Sequence, residues 1–172
     1  ALLDKGILGD EGRQYEFYRA VETVTEGLIL YVKRYAKEAA RQAAECKDPQ
    51  RKAELLQMAD SLDWIMEKPA RTFQEALQAV WFYQMAQLID GEPHGVSFGR
   101  IDQYVGEYAE RDIASGLITR EFAQEITDSF MMKVTECNKC WSEKATKSGP
   151  GYTTGQMMTI GGVDKEGKDA NR

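Results

Sequence analysis

Apolar residues recur every three or four positions over most of the chain, and this spacing predicts five helices. The predicted helices cover residues of about 11–45, 49–67, 73–89, 100–115 and 120–141. The first has one long apolar stripe, made of Phe17, Val21, Val24, Leu28, Tyr31, Val32, Tyr35 and Ala39. In the third helix apolar residues lie on more than one face, which is typical of a helix buried within a larger body.

Capping residues mark several of the predicted helix ends. Asp48-Pro49 is a typical helix start, with Asp as the cap and Pro in the first turn. Thr72 and Glu75 have the spacing of a capping box, in which each side chain accepts from the other's backbone N–H. Gly116 is expected to close the fourth helix and Thr119 to cap the fifth.

Little of the remaining chain has the pattern of a strand. Residues of about 156–161 predict one strand, which Gly161-Gly162 ends, and Val96-Ser97-Phe98 predicts a shorter one. The polar stretch Glu143–Gly155 is expected to be a loop, and Asp164–Gly167 a tight turn. The expected fold class is therefore mainly α with a few short β-strands.

Composition and charge exclude several classes of function. The 172 residues have a net charge of −6, which argues against a nucleic-acid surface. No apolar run is long enough to span a bilayer, and no secretory signal is evident, so no membrane partner is expected. Three cysteines give no disulfide framework, which favours the cytoplasm. Because both ends look cut, we expect a piece of a longer protein.

Two features suggest chemistry but have ordinary interpretations. Cys137-x-x-Cys140 has the spacing of a metal or redox pair, yet it falls late in a helical pattern, where packing is favoured. We therefore predict no metal site. His94 is the only histidine and lies in a turn-rich break, where it either faces a pocket or lies on the surface.

Carboxylates and hydroxyls do not assemble into a catalytic set by spacing. Ser97 lacks both a nucleophile elbow and a second histidine. Asp102 stands out because it follows Arg100 closely, and a structural ion pair at a helix start is the favoured interpretation. From composition and spacing alone, the chain is a helical domain with one distinctive loop at residues 90–100.

Four segments, taken in order, resemble the glycyl radical enzymes of the pyruvate formate-lyase family. Ser97–Tyr104 is similar to the family's S-x-G-R-x-D-Q-Y stretch. The other three segments are Pro69–Trp81, Tyr108–Thr119 and Met158–Asp169. The resemblance implies that this chain is part of a large α/β barrel with an internal active site. The D-Q-Y form looks closer to the dehydratase and decarboxylase branches than to the formate acetyltransferases.

The resemblance also implies what the chain does not contain. In the family, a glycyl radical near the C-terminus, installed by a radical-SAM activating enzyme, takes hydrogen from a cysteine and so starts C–O, C–C or C–N cleavage of a small metabolite. Neither motif context occurs here, so no catalytic residue and no bound cofactor are expected in this chain, and the isolated piece is expected to be inactive. The expected partners are a small-molecule substrate, the remainder of the chain and the activating enzyme; a homodimer stays open.

Residues next to the S-x-G-R stretch are the candidates for a substrate pocket. By resemblance, His94, Gly95 and Val96 face the substrate, and Ser97, Arg100 and Asp102 support that loop against a buried helix. The alternative is a helical binding or structural module without catalysis. That module would cover Val80, Trp81 and Met85 completely within this chain, whereas an enzyme piece would leave apolar faces and strands without neighbours.

Overall fold

The computed structural model describes residues 9–91, 95–136, 142–148 and 156–170. Its elements are α1 (Asp10–Glu45), α2 (Pro49–Trp64), α3 (Phe73–Asp90), β1 (Gly99–Arg100), α4 (Ile101–Ala114), α5 (Arg120–Thr135), α6 (Glu143–Ser148) and β2 (Met158–Thr159). The chain divides into two compact units, Ala1–Pro69 and Ala70–Arg172. The first unit contains α1 and α2, and the second contains all the other elements. A mainly α fold with short strands is confirmed.

In the first unit, α1 and α2 form a helical hairpin around a stripe of small residues. Asp48 caps α2, as predicted: its Oδ1 accepts from the backbone N–H of Gln50 at 2.9 Å and of Arg51 at 3.3 Å. Small side chains on α1 allow α2 to approach closely. The buried residues of the two helices are Val32, Ala36, Ala39, Ala43, Leu55 and Leu62.

Within the predicted apolar stripe of α1, the buried residues all lie in the second half of the helix, although Tyr35 there is 48% exposed. Val32 is fully buried, whereas Phe17, Val21 and Val24 are 64%, 46% and 66% exposed. An apolar stripe this exposed is unusual on the surface of a complete soluble domain. The first half of α1 thus presents an apolar face that the described chain leaves open.

In the second unit, α3, α4 and α5 pack around one core. Phe98, just before β1, contacts Phe130 of α5 edge to face, with the ring centroids 5.4 Å apart. The buried core residues are Phe73, Ala76, Leu77, Phe98, Ile101, Val105, Ala123, Phe130 and Val134. Thr119 caps α5 through a 3.1 Å bond from Phe122 N, as predicted.

A buried carboxylate joins the end of α4 to the start of α3. Asp112 is 2% exposed, and its Oδ2 accepts from the backbone N–H of Phe73 at 2.6 Å. This bond satisfies one of the donors that a helix start leaves open, and a negative charge is favourable there. Its Oδ1 accepts from Arg111 Nη2 at 2.9 Å, and its carbonyl accepts from Leu117 N at 2.9 Å. Asp112 therefore fixes two helix ends and the following turn.

The two strands form a short parallel pair. Gly99 aligns with Met158 and Arg100 with Thr159. The strand predicted at 96–98 is displaced: pairing begins at Gly99, although Phe98 N already donates to Met157 O at 2.9 Å. The strand predicted at 156–161 is shorter, because β1 turns at once into α4 and because Gly161 and Gly162 leave extended backbone at φ 69° and 91°.

Several predicted boundaries also change. Regular helix in α2 ends at Trp64 instead of about 67, since Glu67 N and Lys68 N both bond to Trp64 O in a turn before Pro69. The expected loop from residue 143 was wrong at its start, where α6 forms with a Lys147–Glu143 ion pair at 2.5 Å. α5 ends at Thr135, and residues 137–141 of its predicted extension lie outside the described residues. Throughout the described ranges, every helix is too short or too polar to cross a membrane.

We expect Asp112→Ala to weaken the join between α3 and α4. The change leaves the buried N–H of Phe73 without an acceptor, which costs about 2 kcal/mol. Hydrogen exchange at the Phe73 amide, measured in the full-length protein, should report an opening free energy lower by that amount. The matched control is Glu110→Ala, an exposed carboxylate on the same helix. Equal protection of Phe73 in the two variants would contradict the proposed role.

Candidate functional site

The segment Ser97–Tyr104 is held by contacts to its own backbone and to the strand beside it. Ser97 Oγ donates to Met157 O at 3.2 Å and accepts from Gly99 N at 3.2 Å. Tyr104, one turn into α4, donates its hydroxyl to Phe98 O at 2.9 Å, and burial raises the pKa of this phenol. These bonds fix the path by which the chain enters β1.

Arg100 holds the turn that follows β2. Its Nη1 donates to Val163 O and its Nη2 to Gly161 O, each at 2.9 Å. Gly161 and Gly162 in this turn both have positive φ, a conformation that other residues rarely adopt. A planar guanidinium suits two carbonyls better than a Lys ammonium does.

Asp102 binds the same turn with its carboxylate, which accepts hydrogen bonds where Arg100 donates them. Its Oδ2 accepts from Gly161 N at 2.6 Å and from Gln103 Nε2 at 3.0 Å. The Gly161 N–H in particular holds the pKa of the Asp102 carboxyl below its ordinary value, and the charge of Arg100 contributes less. The expected Arg100–Asp102 ion pair is thus replaced: in the described chain each side chain binds the Gly161–Val163 backbone.

A small hairpin completes this side of the unit. Val163 pairs with Asp169, and Asp164 N donates to Lys168 O at 2.9 Å around the predicted tight turn. Ala170 N donates to Gly162 O at 3.0 Å, while Gln103 Nε2 donates to Ala170 O. Residues at the start of α4 therefore contact both ends of the hairpin: Asp102 binds Gly161 and Gln103 binds Ala170.

A family model described as pyruvate formate lyase-like matches residues 6–171. The chain belongs to the pyruvate formate lyase-like family. The matched range includes all four segments on which the resemblance rested. One of them, Ser97–Tyr104, contains Arg100 and Asp102, whose side chains both bind the Gly161–Val163 backbone; we call this pair the Arg100–Asp102 clamp.

Known members of the family match almost the whole chain. Isethionate sulfite-lyase from Nitratidesulfovibrio vulgaris is 38% identical over 99% of the chain. The crystal structure of a glycyl radical enzyme from Archaeoglobus fulgidus covers 99% of the chain at 35% identity and a TM-score of 0.92. The glycerol-bound B12-independent glycerol dehydratase from Clostridium butyricum covers 86% at 39% identity and a TM-score of 0.80. The chain spans only about one fifth of these proteins: 21%, 22% and 18%.

Two of the three predicted pocket residues of this family member are described. Gly95 is exposed and Val96 is half-buried, and Val96 O accepts from Gln84 Nε2 of α3 at 3.5 Å. His94 lies outside the described residues, as do Cys137 and Cys140. The role of His94, Gly95 and Val96 in a pocket, and that of Ser97, Arg100 and Asp102 in supporting it, stay predictions.

Sequence reasoning missed Gln84. This side chain is 2% exposed and donates to the side chain of Gln156 as well as to Val96 O. One signal was present: Gln84 is an amide within an otherwise apolar stretch of α3, where an unbonded polar group is costly. Nothing in the local spacing pointed to Gln156, which is 72 residues away.

We expect Arg100→Lys to loosen the turn after β2. One ammonium cannot reproduce the fork that binds Gly161 O and Val163 O, so at least one carbonyl loses its donor. Hydrogen exchange across residues 161–164 of the full-length protein should be faster, by roughly five- to tenfold for one lost hydrogen bond. Arg120→Lys, a change of an exposed residue of α5, is the control and should leave the exchange rate of residues 161–164 unchanged. Normal exchange in Arg100→Lys would refute the clamp.

The lowered pKa of Asp102 predicts a pH dependence. Since the folded pKa lies below the unfolded value, the carboxylate stabilises the protein above the unfolded pKa, near 4, and this stabilisation is lost as pH falls through the folded pKa. Asp102→Asn should therefore lower the melting temperature at about pH 7, and the difference from wild type should shrink as pH falls toward about 3. A difference that stays constant over this range would contradict the assignment.

Proposed function

We propose that the full-length protein is a glycyl radical lyase of the dehydratase or decarboxylase type. The observation that carries the proposal is the match of the fold to a glycyl radical enzyme over 99% of the chain at a TM-score of 0.92. The Arg100–Asp102 clamp lies within Ser97–Tyr104, the segment that resembles the family's S-x-G-R-x-D-Q-Y stretch. Because the chain spans about one fifth of its relatives, the reaction belongs to the whole protein.

This chain supplies support for the active site and no catalytic residue. In the proposal, His94, Gly95 and Val96 form one wall of the substrate pocket. Ser97, Arg100 and Asp102 hold the strand that follows the wall. Their contacts favour this role, because all three bind backbone of the 157–163 segment and so tie the end of the loop to β2.

The radical chemistry is assigned to the rest of the protein. We place the glycyl radical and the reactive cysteine in chain segments other than these 172 residues, with a radical-SAM activating enzyme as the partner that installs the radical. When formed, the radical supplies the hydrogen abstraction that starts bond cleavage. A cytoplasmic location and a homodimeric assembly are part of the same proposal.

A small hydroxylated metabolite is the proposed substrate class. Two relatives bear names that point to such molecules, an isethionate sulfite-lyase and a glycerol dehydratase. The Asp102-Gln103-Tyr104 sequence favours this branch over a formate acetyltransferase. Gly95 offers no side chain for hydrogen bonding, so hydroxyl recognition falls to other residues, with His94 as the candidate in this loop.

A non-catalytic helical module is the second candidate, and exposure counts against it. Such a module would cover Val80, Trp81 and Met85 completely, yet all three are only partly buried. Arg100 Nε, Asp102 Oδ1 and Gln156 Nε2 are buried without a hydrogen-bond partner in the described chain. Open apolar faces and unsatisfied polar atoms are what a piece of a larger protein presents.

Activation of the full-length protein tests the proposal. Purified anaerobically with its activating enzyme, S-adenosylmethionine and a reductant, it should develop an organic-radical EPR signal and then consume glycerol or isethionate. The 172-residue chain alone, treated in the same way, should give neither result. A full-length sequence that lacks a cysteine and a glycine in the family's motif contexts, or a protein that gives no radical signal, would refute the enzyme and leave the module.

A further inference from the structure

A single amide on α3 joins the two backbone segments that lead into the parallel strands. Gln84 is 2% exposed, and its Nε2 donates to Val96 O at 3.5 Å and to Gln156 Oε1. A side-chain amide nitrogen carries two hydrogens, and these two acceptors take one each. The donor capacity of Gln84 is therefore used completely.

The strand register places Val96 and Gln156, the two partners of Gln84, at the same end of the strand pair. Gly99 aligns with Met158, and since the strands are parallel, the residues just before each strand lie at one end. Val96 precedes β1 by three residues and Gln156 precedes β2 by two. Gln84 thus bridges from a helix to the point where both strands begin.

Burying the Gln84 amide costs free energy unless its polar atoms are hydrogen-bonded. Leu or Met would fill a similar volume among the apolar residues of α3 without burying a polar group. Polar groups that are buried and bonded fix one geometry, because any displacement leaves them unsatisfied. Gln156 Nε2 is itself buried with no acceptor in the described chain, whereas Gln156 Oε1 accepts from Gln84.

We propose that Gln84 is a positioning residue: it sets the location of Val96, part of the proposed pocket wall, relative to the segment that leads into β2. The proposal rests on the pocket assigned to His94, Gly95 and Val96. Gln84 touches no substrate in this scheme. It acts through the Val96 carbonyl on one side and through Gln156 on the other, and so fixes the distance between these two segments.

Hydrogen exchange tests the positioning without any need for activity. In full-length Gln84→Met, which keeps the volume and removes the donors, the Phe98 amide should exchange roughly five- to tenfold faster. This amide reports on the edge because it donates to Met157 O. Gln74→Met, an exposed glutamine on the same helix, is the control and should exchange there as wild type does.

A second variant separates the two contacts. Gln156→Leu removes only the bond to Gln156 and leaves Gln84 free to hold Val96 O. We expect faster exchange in the peptide that covers residues 156–158 and smaller changes at residues 95–97. If Gln84→Met fails to fold, this variant alone decides: wild-type exchange at residues 156–158 would overturn the proposal.

Steady-state kinetics distinguish positioning from a general loss of structure. With a substrate that the wild type turns over, Gln84→Met should raise KM by roughly three- to tenfold while kcat stays within about twofold, because a displaced wall weakens binding. Equal exchange and equal KM in Gln84→Met and Gln74→Met would overturn the positioning role. If the full-length protein develops no radical signal on activation, the proposed function fails, while the exchange measurement still decides whether Gln84 positions the wall.

Discussion

The second unit depends on the hydrogen bonds made by the backbone N–H and C=O of Gly161. Its N–H donates to Asp102 and its C=O accepts from Arg100, two residues that lie about sixty positions earlier. β2 has only two paired residues, so the ladder ends before it reaches this glycine. Side chains from the start of α4 take the place of a neighbouring strand there. Because a buried peptide group without partners is costly, this arrangement holds the turn in one position.

The other end of α4 is held by a different set of hydrogen bonds. Asp112 accepts from the first backbone N–H of α3, and its carbonyl closes the turn that follows α4. α4 therefore connects two fixed points, the turn after β2 and the start of α3. α3 in turn carries Gln84, so the contacts run from Gly161 through α4 and α3 back to the edge where the strands begin. Each contact restricts the same small group of backbone segments.

Local signals in the sequence predicted the elements well, while long-range contacts were out of reach. Asp48 and Thr119 were found because a cap and its helix are neighbours in sequence. The Ser97–Tyr104 segment identified the family for the same reason, since the whole pattern lies within eight residues. The ion pair expected between Arg100 and Asp102 was wrong because their actual partners are distant in sequence. Likewise, the periodicity of α1 predicted an apolar stripe but could not show that half of it stays uncovered.

The junction between β1 and α4 has a consequence for how this part of the protein evolves. Arg100 is the last residue of the strand and occupies the N-cap position of α4, so no connecting loop separates the two elements. An inserted or deleted residue there would rotate α4 by about 100° relative to the strand and break the contacts at both of its ends. Length changes are expected to be rejected from Ser97 to Tyr104. Sequence change at this junction is therefore confined to substitutions, and the junction keeps its length.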